Sequence, residues 1–239
     1  MILAMISKSK APTKAKAKPK TKPRAKRLSP QERERIEILF ARFEAANIHP
    51  RTELHFSNPY TLLVAVVLSA QATDKGVNKA VEPLFEKADN PADMLGLGLE
   101  GVTDHIKSIG LYRNKAKNVI ALSQILIDQH GGQVPTDRAS LEALPGVGRK
   151  TASVVLNELD IEPAIAVDTH VYRVAHRLKL ANGKTPDRVE AQLMAIVPEH
   201  ALTRAHHWLI LHGRYVCVAR SPKCSLCPIA DLCPSRDLF

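Results

Sequence analysis

The sequence predicts an all-α protein of about ten helices. Helix-start signals recur along the chain, the first being Ser29-Pro30-Gln31-Glu32. Apolar residues follow such signals at helical spacing, and the chain holds no pair of alternating strands and no Asn-Gly hairpin. Ser29 to Glu32 reads as a capping box with proline at the first helical position. Ile36, Leu39, Phe40 and Phe43 then mark one helical face. Ser57-Asn58-Pro59 opens the apolar run Tyr60 to Ala70, whose length favours a buried helix over a strand despite its valines. Thr73, Asn90-Pro91 and Asp137 are further starts, and Gly131-Gly132 is a stop. A short helix over Arg138 to Ala143 and a longer one over Arg149 to Glu158 flank a glycine turn. Another helical pattern runs from Val171 to Leu178.

With 239 residues the chain has room for one large domain or two small ones. No apolar run approaches the ~18 residues of a membrane span; the longest is Leu62 to Leu68. The short apolar stretch Met1 to Ile6 precedes its basic residues, the reverse of a signal peptide, so an intracellular protein is expected. That means cytoplasm or nucleoid in a bacterium, nucleus or mitochondrion in a eukaryote. The formal charge is +10, and of the 34 Lys and Arg, ten lie in residues 1–28, which hold no acid. The other 24 balance the 24 Asp and Glu, so the body is formally neutral and must cluster whatever basic groups it uses. Residues 8–28 are Lys, Ala, Pro and Thr, a composition that reads as disordered. As a polycation this tail would hold the protein near nucleic acid. A solubilising or targeting extension, or a mitochondrial presequence, would share that composition.

Three constellations carry chemistry. In Leu144-Pro145-Gly146-Val147-Gly148-Arg149-Lys150-Thr151, two glycines allow a tight turn with positive φ. The N–H groups of Gly146 and Gly148 then sit at the mouth of a helix, where free donors and the helix dipole favour phosphate. The alternative is an ordinary αα-hairpin. Second, Lys150 lies in the first turn of that helix beside Arg149, where positive potential disfavours an ammonium. An amine so treated becomes a nucleophile able to form a Schiff base. Asp168, between the apolar stretch Ala164 to Val167 and the next helix, is its candidate partner, and equally a plain N-cap. Third, Cys217-x6-Cys224-x2-Cys227-x5-Cys233 confines all four cysteines to 17 residues and reads as one metal centre. Four thiolates suit an iron–sulfur cluster or zinc, and the lack of two CxxC pairs weakens a zinc ribbon. Arg220 and Lys223 lie in the first inter-cysteine loop and offer a basic contact surface. His206, His207 and His212, interleaved with Trp208 to Leu211, read as a packed helix face rather than a metal set.

Taken together, these features resemble the endonuclease III family of DNA repair enzymes over roughly residues 31–235. The marks are Leu68-Ser69-Ala70-Gln71-Ala72-Thr73-Asp74, Gly110-Leu111-Tyr112, Leu144 to Ala152, Val167-Asp168-Thr169-His170, His212-Gly213-Arg214-Tyr215 and the cysteine spacing. Only the long basic tail falls outside the usual bacterial pattern. The resemblance implies a helix–hairpin–helix at 138–159 and a [4Fe–4S] cluster on Cys217, Cys224, Cys227 and Cys233. It implies two helical lobes, a six-helix domain over 52–162 and a cluster domain formed by 29–51 with 163–239. Lys150 and Asp168 would then face each other across a cleft. The implied substrate is double-stranded DNA bearing a damaged pyrimidine or an abasic site, bound by a monomer with no membrane attachment. A nucleotide flipped from the duplex exposes its base to chemistry. Gln71 would fill the vacated space and Leu111 would wedge into the opposite strand, while Gly146, Val147, Gly148, Arg220 and Lys223 would bind the backbone. Lys150 would attack C1′ with Asp168 in support, and β-elimination would cut 3′ to the sugar. Adenine-mismatch glycosylases share the fold and cluster but resemble a Ser-bearing pattern at the Lys150 position. A non-catalytic DNA-binding module would have no use for a Lys150–Asp168 pair.

Overall fold

The computed structural model describes residues 28–236 and 238, so the basic tail before Leu28 lies outside the described residues. Among these residues there is no strand, and no helix is long and apolar enough to cross a membrane. Ten α-helices run in order: α1 (Pro30–Ala46), α2 (Pro59–Ser69), α3 (Asp74–Phe85), α4 (Pro91–Ile106), α5 (Tyr112–His130), α6 (Arg138–Glu142), α7 (Arg149–Glu158), α8 (Thr169–Arg177), α9 (Pro186–Ile196) and α10 (Leu202–Tyr215). Single 3₁₀ turns occupy Glu199–Ala201, Cys224–Leu226 and Ala230–Leu232.

Local chemistry sets the helix starts. Ser29 Oγ accepts from the Glu32 N–H while the Glu32 carboxylate accepts from the Ser29 N–H, at 3.1 and 3.0 Å. Asn58 and Thr61 make the same reciprocal pair at the head of α2. Thr73, Asn90 and Asp137 each accept an N–H from the first turn of α3, α4 and α6. Each such cap is worth about 1 kcal/mol. Two features are not written in propensity. α4 breaks at Gly98, whose φ is 67°. α5 begins after Leu111, a left-handed residue that offers no side-chain cap.

Buried side chains form two cores. The first draws on α2 to α7, from Leu54 to Leu156. At its centre is α2, buried at every position from Tyr60 to Leu68, which is why its sequence is apolar all round rather than striped. The second core joins Ile36, Leu39, Phe40 and Phe43 of α1 to α8, α9, α10 and Ile229. The chain therefore leaves the second core after α1 and returns to it after α7. Polar ties bind the two halves. Asn157 on α7 donates to the Thr203 carbonyl and accepts from the Ala164 N–H, at 3.0 and 3.1 Å. Within the second half, Trp208 Nε1 on α10 donates to the Asn47 carbonyl at 2.8 Å, holding the end of α1.

Candidate functional site

α6, the turn and α7 make the hairpin. Gly146 alone takes the positive φ, 80°; Gly148 is extended at φ −97° and serves as the N-cap of α7. The positive φ of the turn is thus supplied by one of its two glycines. A Cβ on Gly146 would lie 2.8 Å from Asn118 Nδ2 and 3.1 Å from Asn118 Cβ, while one on Gly148 would meet nothing within 4 Å. Gly146 is required by the fold, whereas among the described residues nothing in the fold requires glycine at Gly148. Accordingly, Gly146→Ala costs about 1–3 kcal/mol through strain and crowding, whereas Gly148→Ala stays within about 1 kcal/mol; denaturant midpoints of the two variants check this. Equal losses would reject the distinction. Among the described residues the Gly146 and Gly148 N–H groups have no hydrogen-bond partner. Val147 differs from expectation. Its side chain is 5% exposed in the first core and its N–H donates to the Leu144 carbonyl at 3.0 Å, so it braces the turn instead of presenting a free donor.

Lys150 and Asp168 line one cavity of about 510 Å³ with Gln71, Thr151, Val154, His170, His206, His207 and Arg214 among its walls. That volume falls in the ~300–1,000 Å³ range of small-molecule sites. Lys150 comes from the first turn of α7 and is exposed. Asp168 comes from the opposite half as the N-cap of α8. Its Oδ1 accepts both the His170 and Val171 N–H groups at 2.8 Å, and among the described residues Oδ2 has no hydrogen-bond partner. The plain capping role and the catalytic one are therefore compatible, since one oxygen orients the carboxylate and leaves the other to face the cavity. Arg149 does not act as expected. Its guanidinium bonds Glu190 at 3.0–3.1 Å and lies 4.0 Å from Asp187, both on α9, so its charge is directed at α9 rather than at Lys150.

Gln71 and Leu111 share an uncommon conformation, with φ of 54° and 59°. Both are exposed, and a Cβ on Gly110 would lie 3.7 Å from the Gln71 carbonyl, so the two loops run side by side. A leucine 57% exposed in a left-handed turn is costly unless something covers it.

The four cysteines, all half-buried, surround one small cavity with Leu178, His212, Lys223 and Arg236. Among the described residues no group of three or more His, Cys, Asp or Glu is arranged to hold a single metal ion. Burial, then the crowding of the other three cysteines, pushes the Cys227 thiol up, although the Ile229 N–H opposes this. Thiolates gathered there repel one another unless a cationic centre lies between them, so the donor set fits an iron–sulfur cluster. Arg220 and Lys223 are exposed on the loop between Cys217 and Cys224, which closes through the Lys223 N–H to the Val216 carbonyl at 3.0 Å.

Several groups escaped the sequence reading. Arg177 donates to the Val218 and Ala219 carbonyls at 2.7 and 2.9 Å and reaches Cys217 Sγ at 3.4 Å. Arg173 donates to the Cys217 and Gly213 carbonyls at 3.0 and 2.6 Å. Helix α8 thus carries Asp168 at one end and grips the cysteine loop at the other. The i, i+4 spacing of the two arginines was the available signal. Arg214 bonds Asp74 at 2.6 Å and pairs with Glu53, clasping α10 to the segment that follows Gln71.

Comparison with known proteins shows the family. Residues 64–199 match the model of the HhH-GPD superfamily base excision DNA repair protein. Residues 217–233, from the first cysteine to the last, match the iron–sulfur binding domain of endonuclease III. Endonuclease III of Escherichia coli strain K12 is 56% identical over 204 residues, covering 85% of this chain and 96% of the relative. That of Haemophilus influenzae is 53% identical over the same length and coverage. A solved trapped endonuclease III–DNA covalent intermediate superimposes with a TM-score of 0.78 at 46% identity, covering 85% of this chain and 96% of that one. A non-covalent endonuclease III–DNA complex gives the same score and identity. A thermostable thymine-DNA glycosylase, 23% identical with a TM-score of 0.73, shares the fold. The chain belongs to the HhH-GPD superfamily of base excision DNA repair proteins, within the endonuclease III family.

Proposed function

We propose that Lys150 and Asp168 are the catalytic pair of a bifunctional enzyme acting on oxidised pyrimidines in duplex DNA. The protein is a DNA glycosylase with abasic-site lyase activity and carries a [4Fe–4S] cluster. The observation that carries the residue assignment is the shared cavity, which holds an exposed lysine from one half and a fixed carboxylate from the other. Lys150 attacks C1′, and the base departs with the electrons of the glycosidic bond. Asp168 Oδ2 takes part in deprotonating the amine and balances positive charge developing on the sugar. The resulting Schiff base acidifies the 2′ position. Loss of a 2′ proton then expels the 3′ phosphate, cutting the backbone by β-elimination. Borohydride trapping on abasic DNA tests this directly, since only a Schiff base is reduced to a stable adduct. Absence of an adduct from the unaltered protein would sink the lyase mechanism.

The DNA-binding roles follow the same geometry. Gln71 fills the space left by the flipped nucleotide and Leu111 wedges into the opposite strand, an insertion that would cover its exposed apolar surface. The free N–H groups of Gly146 and Gly148 hold a phosphate, so Gly148→Ala weakens DNA binding while sparing stability. Arg220 and Lys223 add contacts from a loop that the cluster shapes. Cys217, Cys224, Cys227 and Cys233 hold the cluster, whose chemistry here is structural. Residues 52–162 and the pair 29–51 with 163–239 are the two lobes that flank the DNA-binding cleft. A monomer suffices, and the bacterial relatives suggest work in the cytoplasm or nucleoid.

The tail gives a further expectation. Its ten cations accompany a formally neutral body. Removing residues 1–28 flattens the salt dependence of non-specific DNA binding, each phosphate contact contributing about −0.9 to the log–log slope. Single-turnover excision at saturating enzyme stays unchanged, because the tail supplies no catalytic group. An unchanged slope would return the tail to a targeting or solubilising role.

A further inference from the structure

Arg214 stands near the end of α10 and reaches two carboxylates of the other half. Its Nη1 donates to Asp74 Oδ2 at 2.6 Å and to Glu53 Oε2. Tyr215, the next residue, donates its hydroxyl to Glu53 Oε1. Asp74 opens α3, and Glu53 precedes Leu54 of the first core. Glu53, Asp74 and Arg214 are half-buried and line the cavity that holds Lys150 and Asp168. With Ala72 and His170 they also line an adjoining cavity of about 650 Å³. The clasp is therefore part of the wall of the cleft. An arginine in such a wall has two uses, to hold a phosphate or to hold the protein. Here one guanidinium faces two carboxylates, a formal sum of −1, so no cationic charge is left over for a phosphate. Charge-assisted bonds of this kind are about twice as strong as neutral ones. Removing the arginine would leave two like charges side by side.

What the clasp holds is the segment that carries Gln71. Asp74 lies three residues beyond it, and the chain between is fixed within its own half. The Ala72 N–H donates to the Ser69 carbonyl at 3.0 Å, and Thr73 Oγ1 accepts the Gly76 N–H at 3.2 Å. Gln71 keeps a φ of 54°, a conformation that persists only where the surroundings over-determine it. Those ties fix the segment to α2 and α3, and the Asp74–Arg214 bond fixes it to the half that carries Asp168. We infer that Arg214 is a positioning residue, which through Asp74 holds the Gln71 loop in register with Asp168 across the seam. This rests on the reading of Gln71 as the side chain that fills the space left by the flipped nucleotide. Gln71 and Lys150 belong to one half and Asp168 to the other. Filling the stack and presenting the sugar to both catalytic groups therefore require one spacing of the halves, and the clasp sets it at the cleft.

A double-substitution cycle tests this. Arg214→Met removes the cation. Asp74→Asn weakens only the arm that joins the Gln71 segment, and it decides the matter should Arg214→Met fold poorly. Each is made alone and together with Gln71→Ala. Single-turnover excision of an oxidised pyrimidine from duplex DNA is measured at saturating enzyme, beside the thermal midpoint and the salt slope of DNA binding. Arg214→Met slows excision about tenfold, within the range of a misplaced reacting group, and Asp74→Asn slows it less. In the Gln71→Ala background both losses shrink to under about twofold, because residues that act through one group are not additive. The salt slope stays unchanged. Losses of equal size in both backgrounds make the clasp a structural tie alone and overturn the inference, as does full activity in Arg214→Met and Asp74→Asn. A slope smaller by about 0.9 makes Arg214 a phosphate contact and overturns it too. Full excision by Gln71→Ala alone would instead reject the reading of Gln71 itself, so the two failures are distinguishable.

Discussion

Lys150→Gln abolishes base release and strand scission together while affinity for damaged DNA stays within a few-fold of the unaltered protein. In the proposed mechanism one amine performs both steps, because the Schiff base that follows base departure is the species that undergoes β-elimination. The single-turnover rate falls by on the order of 10⁴-fold or more, the scale at which loss of a nucleophile acts in other enzymes. Binding survives for a structural reason. The proposed phosphate site consists of backbone N–H groups of Gly146 and Gly148, which the substitution leaves in place. Folding survives as well, since the Lys150 side chain is exposed and makes no hydrogen bond or ion pair among the described residues. The measurement is a borohydride-trapped adduct on abasic DNA beside an equilibrium titration of the same DNA. A trapped adduct at normal yield would place the nucleophile on another amine, and a proportional loss of affinity would show that Lys150 binds rather than reacts.

Cys224→Ser removes the broad absorbance expected at about 400 nm for a Cys-ligated cluster, lowers the thermal midpoint and weakens DNA binding. The segment from Cys217 onward has little else to hold it. Among the described residues Ile229 is its one fully buried apolar residue in the second core, joined by the half-buried Leu232, Cys217, Cys227 and Cys233. Its regular structure is two single 3₁₀ turns. Arg35 on α1, donating to the Leu232 carbonyl at 3.1 Å, and the α8 arginines supply polar ties to this segment. Metal binding in such a segment is folding free energy. As the loop loosens, Arg220 and Lys223 lose their placement, and the salt slope of binding falls by up to about two phosphate contacts. Protein made with ample iron that contains one zinc and no iron would reject the cluster assignment.

How much of this was legible in the chain depends on the range of the interaction involved. Asp168 shows the division well. Its capping role can be read from the residues around it, because an N-cap is decided within a single turn. Its place opposite Lys150 depends on α7 and α8 meeting from different halves, and no local pattern reports that. The hairpin was legible as a turn, but only one of its two glycines takes a positive φ. Val147 was expected to bind DNA with the two glycines; its side chain is buried in the first core and its N–H is taken by the Leu144 carbonyl. Arg149 was read as a cation pressing on Lys150, whereas α9, some forty residues further on, brings Glu190 against it.

By itself the sequence determined the helical class, the caps that start α1, α2, α3, α4, α6 and α8, the burial of α2 and the gathering of four thiols. These follow from short-range hydrogen bonding, from the 3.6-residue period and from spacing along the chain. It also placed Lys150, the proposed nucleophile, in a first helical turn. Only the tertiary structure decided the rest: the cavity shared by Lys150 and Asp168, the neighbouring left-handed residues Gln71 and Leu111, and the grip of α8 on the cysteine loop. Each of these requires the chain to leave the second core after α1 and return to it after α7. Burial, charge pairing and hydrogen-bond satisfaction at the seam between the two cores are therefore properties of the packed halves, and no window of the sequence contains both sides of that seam.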